Sequence, residues 1–372
     1  MKTVLARQDF QDALSAMATL TGARTTKPIL GCVRLEAKDS TLELGATDGE
    51  AGLRLRSSAL AVDQAGEAVV PAERLLSIVR ELADVEIALE TDERVCSLRG
   101  EGRTFRIYVA SAADFPPLPT FEDEPDLVVE GGQLRQMIGR TVYAAARETS
   151  RYAINGVLWE KRGKRLFLVA TDGRRLARTG GPLRKSGAGD FEAIVPAKAL
   201  GVFEKVFLPP RDGGEWTVDV KFMPNQVLLR SGERLLSTVL VEGHFPKYQD
   251  VIPQSNDKRA WAPRDELLGA VRQAALLTAE DSRAVRLSFD RRQLVITSQS
   301  PEQGDARIEL PIRYEGEPLE IGFNPAFLAD ALRAVDCDEI CFEMQESFRP
   351  GVLCGEDKNE FLYVVMPVSL SS

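Results

Sequence analysis

The sequence predicts an α+β protein of three tandem modules, each with two helices on mainly antiparallel sheets, and three observations support this. The tetrapeptide Ala-Thr-Asp-Gly occurs at 46–49 and again at 170–173, 124 residues later. Alternating apolar residues flank both copies, in LELGATDG and LFLVATDG, so each reads as two strands joined by a tight turn. Gly takes positive φ freely there and Asp tolerates it. The surrounding pattern of strand, charged turn, strand, ATDG, strand spans 28–56 and 152–180, and a worn copy without the motif spans 284–310. Finally VVPAERLLSIVREL (69–82), IVPAKALGVFEKVF (194–207) and GFNPAFLADALRAV (322–335) each read as a strand end, Pro-Ala at a first helical turn, then apolar residues at helical spacing.

The remaining elements follow in order. An amphipathic helix is expected ahead of each hairpin set, at 7–21, 131–148 and 264–281. Each module then closes in strands and a loop: TFRIYVASAADFPPLP, LLSTVLVEGHFPKYQDVIP and FLYVVMPVSL. Acid and proline gather at PTFEDEPD (119–126) and IPQSNDKRAWAP (252–263), which read as linkers and set the modules at 1–122, 127–254 and 262–372. Repeated units build a continuous surface by stacking like against like.

Composition narrows the function. A chain of 372 residues has room for two or three domains with cores of their own. It has 44% apolar and 28% charged residues, with no apolar run near the ~20 residues of a membrane span. The opening MKTVLARQDFQDAL lacks the apolar block of a secretion signal, so the expectation is a cytoplasmic protein with no membrane partner. Five scattered cysteines argue against a disulfide framework; Cys337 and Cys341 are the only pair close in sequence, and a single histidine, His244, leaves a tetrahedral zinc site incomplete. The same histidine is the sole candidate for a catalytic triad, and there is neither a GxxxxGKS loop nor a GxGxxG turn. Neither a cofactor nor catalysis is expected, and Asp48 and Asp172 read as turn formers. A competing reading, an enzyme with Asp172 and Arg175 at a site between modules, requires Asp172→Asn to abolish turnover; another is a peptide-binding scaffold that never meets DNA.

The segments RTTKPILG, RYAINGVLWE, VATDGRRLA, GHFPKYQDVIP, IGFNPAFLADAL and YVVMPVSL, in this order across essentially the whole chain, resemble the bacterial DNA polymerase III beta subunit family of sliding clamps. The resemblance implies a DNA-clamp fold whose homodimer closes head to tail into a ring of six modules. Duplex DNA passes through the hole, and the ring tethers the replicative DNA polymerase catalytic subunit and other replication and repair proteins. A clamp loader complex opens it, and the chain performs no chemical step. Closure after two copies needs the curvature of three equal modules.

The net charge of −9, from 47 basic and 56 acidic residues, opposes DNA binding as a sum, so distribution matters. Arg135, Arg140, Arg147 and Arg151 fall in or after the second module's first helix, and Arg24 with Lys27 follow the first. Weak phosphate contacts suit a ring that slides. The resemblance places Arg24, Arg151 and Tyr152 toward DNA, with Ala153 where relatives often carry a second tyrosine. It builds a peptide groove from Ile154, Gly156, Thr171, Gly173, Arg174, Arg175, Leu176, Pro246, Val251, Val364, Met366, Pro367 and Val368, with Phe327, Phe348 and Pro350. It sets Ile78, Leu82 and Phe105 on one edge of the subunit contact and Leu276, Leu277 and Glu302 on the other. Gln249 and Asp250 depart from the basic residues of many relatives, and Ser371 and Ser372 extend past the usual terminal leucine.

Overall fold

The computed structural model describes residues 1–22, 25–148, 152–187, 189–278, 284–355 and 357–370. All three hairpin sets form where the alternation places them. They are Cys32–Lys38, Thr41–Thr47 and Ala51–Ser58; Gly156–Arg162, Arg165–Thr171 and Arg175–Pro182; and Val285–Asp290, Gln293–Ser300 and Gly304–Pro311. Register agrees as well, since Leu44 faces Leu55 in the first set, Leu168 faces Thr179 in the second and Ile296 faces Ile308 in the third.

The helices after Pro-Ala run Ala72–Glu81, Ala197–Val206 and Pro325–Ala334. Proline stands just ahead of the first two and inside the first turn of the third, where Asn324 Oδ1 also accepts the Ala326 amide at 2.9 Å. The leading helix Arg7–Thr21 matches its expected span and buries Phe10, Leu14 and Met17 on one face. Its counterparts are shorter than their apolar spacing suggests, Gly131–Gly139 and Arg264–Ala274, each followed by one 3-10 turn. In the second, the Thr141 hydroxyl bonds back to the Met137 carbonyl at 2.9 Å and competes with helix propagation. No helix among the described residues is long and apolar enough to cross a membrane.

Three sequence modules fold into two compact units. One comprises Met1–Gly132, Arg184–Ala188 and Lys198–Leu240; the other Gln133–Leu183, Gly189–Ala197 and Val241–Ser372. The first holds a nine-stranded sheet ordered Lys185–Ser186, Leu127–Glu130, Thr217–Phe222, Gln226–Ser231, Arg234–Val239, Ala51–Ser58, Thr41–Thr47, Cys32–Lys38, Gly66–Pro71, and a five-stranded sheet ending at Arg103–Tyr108. The second holds a nine-stranded sheet ordered Phe191–Pro196, Gly156–Arg162, Arg165–Thr171, Arg175–Pro182, Phe361–Val365, Gly351–Cys354, Glu339–Met344, Lys258–Pro263, Arg313–Glu315, and a four-stranded sheet ending at Gly304–Pro311. The middle module is divided because sheet hydrogen bonds cross module borders. Leu53 faces Leu236 at one seam and Ala177 faces Tyr363 at the other.

Each unit has its own aromatic core. Phe10, Phe203 and Phe207 are fully buried in the first, and Trp159, Phe323 and Tyr363 in the second.

Candidate peptide-binding groove

The second ATDG turn is built from its own side chains. Asp172 Oδ1 accepts the amides of Arg174 at 2.9 Å and Arg175 at 3.0 Å, Gly173 takes φ +85°, and the Thr171 hydroxyl donates to the Arg175 carbonyl at 2.6 Å. The turn is fixed by Arg175, which reaches Asp172 at 3.0 Å, Asp330 at 2.7 Å and the Tyr143 carbonyl at 2.7 Å. Its guanidinium lies 4.5 Å from the Phe327 ring centre and 5.5 Å from that of Tyr143. Burial opposes the charge, but the bond to Asp330, the adjoining Tyr363 oxygen and the charge of Asp172 outweigh it and hold Arg175 above the usual arginine range. The Tyr363 hydroxyl, donating to the Phe327 carbonyl at 2.9 Å, is pushed up by burial.

Above this base lies a cavity of about 190 Å³, lined almost entirely by apolar atoms of Ile154, Leu176, Pro246, Val251, Val364 and Met366, with Thr171, Gly173, Arg174 and Arg175 along the turn. Tyr152, Lys247 and Tyr248 complete the wall. The strand Phe361–Val365 supplies Val364 beside Leu176, and the Met366 amide closes on the Arg174 carbonyl at 2.9 Å. The loop that closes the second module is anchored by Tyr248, whose hydroxyl donates to Glu160 at 2.6 Å. Burial, then that carboxylate, push Tyr248 up to about 12. Gly156 lies behind the wall, where an added Cβ would meet Ile194 at 2.7 Å and the Val195 carbonyl at 2.8 Å.

Ten of the sixteen expected groove residues line the cavity directly. Gly156 and Phe327 support it from behind. Pro367 and Val368 lead away, with the Val368 amide on the Gly322 carbonyl at 2.9 Å. Phe348, 68% exposed, and half-buried Pro350 sit on the loop between Glu339–Met344 and Gly351–Cys354, off the lining. Tyr152, expected to face DNA, stands on the groove wall at 42% exposure, while Arg24 and Arg151 lie outside the described residues. Ser371 and Ser372 lie outside them too. The sequence reading missed Lys247 and Tyr248, whose only signal was adjacency to Pro246.

Of the arginines near the second module's first helix, Arg147 is exposed and Arg135 half-buried, while Arg140 is pushed down by burial against the charges of Glu360 and Asp336. Among the expected contact residues, Leu276 is 75% exposed and Glu302 is exposed, whereas Leu82, at 3%, is buried in its own chain. Asp172 and Arg175 satisfy each other inside a structural turn, and His244 is exposed on its loop. The cysteines that meet in space are Cys341 and Cys354, facing each other across two strands, rather than Cys337 and Cys341.

Repeated modules fused through shared sheets, with a preformed apolar groove beside a rigid turn in the second unit, define a repeat-built binding scaffold. Models of the DNA polymerase III beta subunit match the chain throughout: the N-terminal domain at residues 1–119, the central domain at 128–247 and the C-terminal domain at 249–369. The beta sliding clamp of Escherichia coli strain K12 is 34% identical over 372 residues, covering all of both chains. The crystal structure of the Pseudomonas aeruginosa sliding clamp bound to griselimycin superposes with a TM-score of 0.90 at 30% identity, and that from Bartonella birtlesii, also bound to griselimycin, with 0.91 at 29%; each comparison covers both chains completely. The chain belongs to the DNA polymerase III beta subunit family, with the three-domain clamp fold and the role of a non-catalytic processivity clamp.

Proposed function

We propose that two copies of this chain join head to tail around duplex DNA and that the groove holds an extended peptide of the replicative polymerase and of other clamp-binding proteins. The observation that carries the groove assignment is its chemistry: a half-open apolar trough whose turn has its own polar groups satisfied, leaving apolar anchors as the main gain from binding. Such a site selects short apolar side chains on an extended backbone. Met366, flexible and 42% exposed, lets one trough accept several sequences.

The repeat itself supports the subunit contact. At both seams the third strand of a hairpin set pairs with the last strand of a module: Ala51–Ser58 with Arg234–Val239, and Arg175–Pro182 with Phe361–Val365. The third set ends at the edge strand Gly304–Pro311, and the first module's last strand, Arg103–Tyr108, is an edge strand as well. Pairing them between copies makes a third nine-stranded sheet. The register carried over from the two seams sets Phe105 opposite Ala306 of the second copy, with exposed Leu276 and Glu302 of that copy on the same edge. A chain of net charge −9 would then hold DNA by linkage rather than adhesion. The family resemblance implies that an ATP-driven loader complex places the ring on DNA, and the sequence carries no nucleotide loop of its own.

Titration of a fluorescein-labelled, extended peptide with apolar anchors taken from the cognate polymerase tests the groove. Met366→Asp is expected to weaken it at least tenfold, about 1.4 kcal/mol, while the sedimentation mass stays at twice 40.9 kDa. A strictly monomeric chain at high concentration, or peptide binding indifferent to Met366, overturns the respective half. Encirclement predicts retention on circular DNA and loss from linear DNA.

A further inference from the structure

We propose that Cys341 and Cys354 form a peroxide-oxidisable dithiol that closes into a reversible cross-strand disulfide. The two are direct partners across the antiparallel strands Glu339–Met344 and Gly351–Cys354. Their sulphurs and a Glu343 carboxylate oxygen lie within 4.8 Å of one another. Opposed positions on antiparallel strands hold Cα atoms ~4.5 to 5.5 Å apart, inside the Cα range a disulfide spans. Cys354 is 2% exposed and Cys341 half-buried, which makes Cys341 the sulphur that solvent reaches.

The surroundings favour redox chemistry over a metal. Glu343 is held by Lys358 at 2.6 Å and Arg259 at 3.5 Å, so the carboxylate is already neutralised and two fixed cations stand where a divalent ion would arrive. The same cations favour a thiolate, while burial and the Glu343 charge oppose it. A hydrogen bond between the sulphurs lets the pair surrender its first proton below the usual thiol range and hold its second far above it.

Of the pair Cys354 is the lowered thiol and Cys341 the one that holds the proton, so the shared proton first crosses the hydrogen bond to Cys354. The Cys341 thiolate, which solvent reaches, then attacks an oxygen of hydrogen peroxide, the O–O bond breaks and hydroxide leaves, giving a sulfenic acid on Cys341. The Cys354 thiol sulphur then attacks the Cys341 sulphur, the S–O bond breaks, and its proton leaves with that oxygen as water. Two sulphurs supply the two electrons that one peroxide takes up. The bond closes the hairpin carrying Phe348 and Pro350, and Trp261, directly across the next strand from Cys341, is placed to report it.

The test treats the full reduced chain with hydrogen peroxide. Expected are loss of two of the five thiols, reversal by dithiothreitol, a peptide map linking Cys341 to Cys354, and a fall in tryptophan emission that Trp261→Phe removes. Cys354→Ser should lose the link and drive Cys341 to sulfinic acid; should that variant fail to fold, Cys337→Ser must still form the same link. Retention of all five thiols, a link through Cys337, or stoichiometric zinc in the purified chain that blocks oxidation overturns the proposal.

Discussion

The two ATDG turns are nearly the same object in different surroundings. In the first, Asp48 Oδ1 accepts the amides of Glu50 and Ala51 at 3.0 and 2.8 Å, Gly49 takes φ +97° and Thr47 donates to the Ala51 carbonyl at 2.7 Å, matching the second bond for bond. What differs is the sheet beside the turn. Gly45 and Gly52 of the first copy stand in the register positions of Val169 and Leu176 in the second. Leu118, from the loop closing the first module, lies directly on those glycines, so close that added Cβ atoms would meet it at 2.7 and 2.8 Å. The chain thus fills the place itself. In the second copy the larger Val169 and Leu176 join a buried cluster with Tyr248, the closing loop is held out on top of it, and Val251 remains 49% exposed beside an open trough. The motif dictates the turn; what distinguishes the copies beside it is the volume at two neighbouring strand positions and the way the closing loop packs on them.

The cations differ in the same direction. Asp172 is met by Arg175, whose side chain is only 10% exposed, and Asp48 by Lys198, at 55%. Removing one partner of a buried pair strands the other, so Arg175→Ala is expected to lower stability by about 3 kcal/mol; Lys198→Ala leaves Asp48, 7% exposed, with its two backbone amides and is expected to cost less, about 1 to 2 kcal/mol. Urea unfolding midpoints of the two variants check this, and equal shifts would break the comparison.

Next in size is the exchange of the register residue. Gly52→Leu gives the first copy the residue that the second has at this position, and it must displace Leu118 and the Ser237 hydroxyl, whose oxygen an added Cβ would meet at 2.8 Å. Overpacking of this kind costs about 1 to 3 kcal/mol. Adding Leu118→Ala should restore more than half of it and raise binding of an apolar fluorescent probe to the folded protein. If the double variant is no more stable than the single one, Leu118 is not what keeps the first groove shut.

How much of this was legible follows from the range of each interaction. Hairpins, Pro-Ala helix starts and the repeat are local, so periods of two and 3.6 residues and a few Gly and Pro positions display them. The helix expected to 148 overran because apolar spacing continues through Val142 and Ala144 after Gly139, and the Thr141 back-bond that halts it has no periodic signature. The seams were invisible: Leu53 and Leu236 pair across a separation that leaves no local trace, and the two-unit division follows from them. Cys341 and Cys354 stayed apart in the sequence for the same reason. Residues of the groove were reached through the family resemblance, which carried Pro246 and Val251 but passed over Tyr248, the side chain that anchors their loop.

A smaller effect tests the likeness rather than the difference. Open space surrounds the missing Cβ of Gly173, and only a Leu30 carbon at 3.9 Å lies near that of Gly49, so alanine at either position meets backbone strain alone. Each substitution is expected to cost about 1 to 2 kcal/mol, and the two costs should agree to within about 0.5 kcal/mol. A much larger loss at Gly173 would mean that the groove strains its turn.

The smallest effect lies in acid. Burial alone would raise Asp48, but the amide of Ala51, the bond to Lys198 and the amide of Glu50 together hold it below its ordinary 3.8. A carboxyl lowered in the folded state binds fewer protons there than in the unfolded chain, so its contribution is complete above about 3.8 and is lost as pH falls through the folded value. Asp48→Asn should therefore cost stability near neutrality and progressively less below that pH, and Lys198→Ala should flatten the profile only partly, because both backbone amides remain. Unfolding midpoints from pH 6 down to the acid limit of reversibility, on the order of pH 3, measure this. A penalty for Asp48→Asn that stays constant across that window would show that the turn needs only the geometry of the side chain and none of its charge.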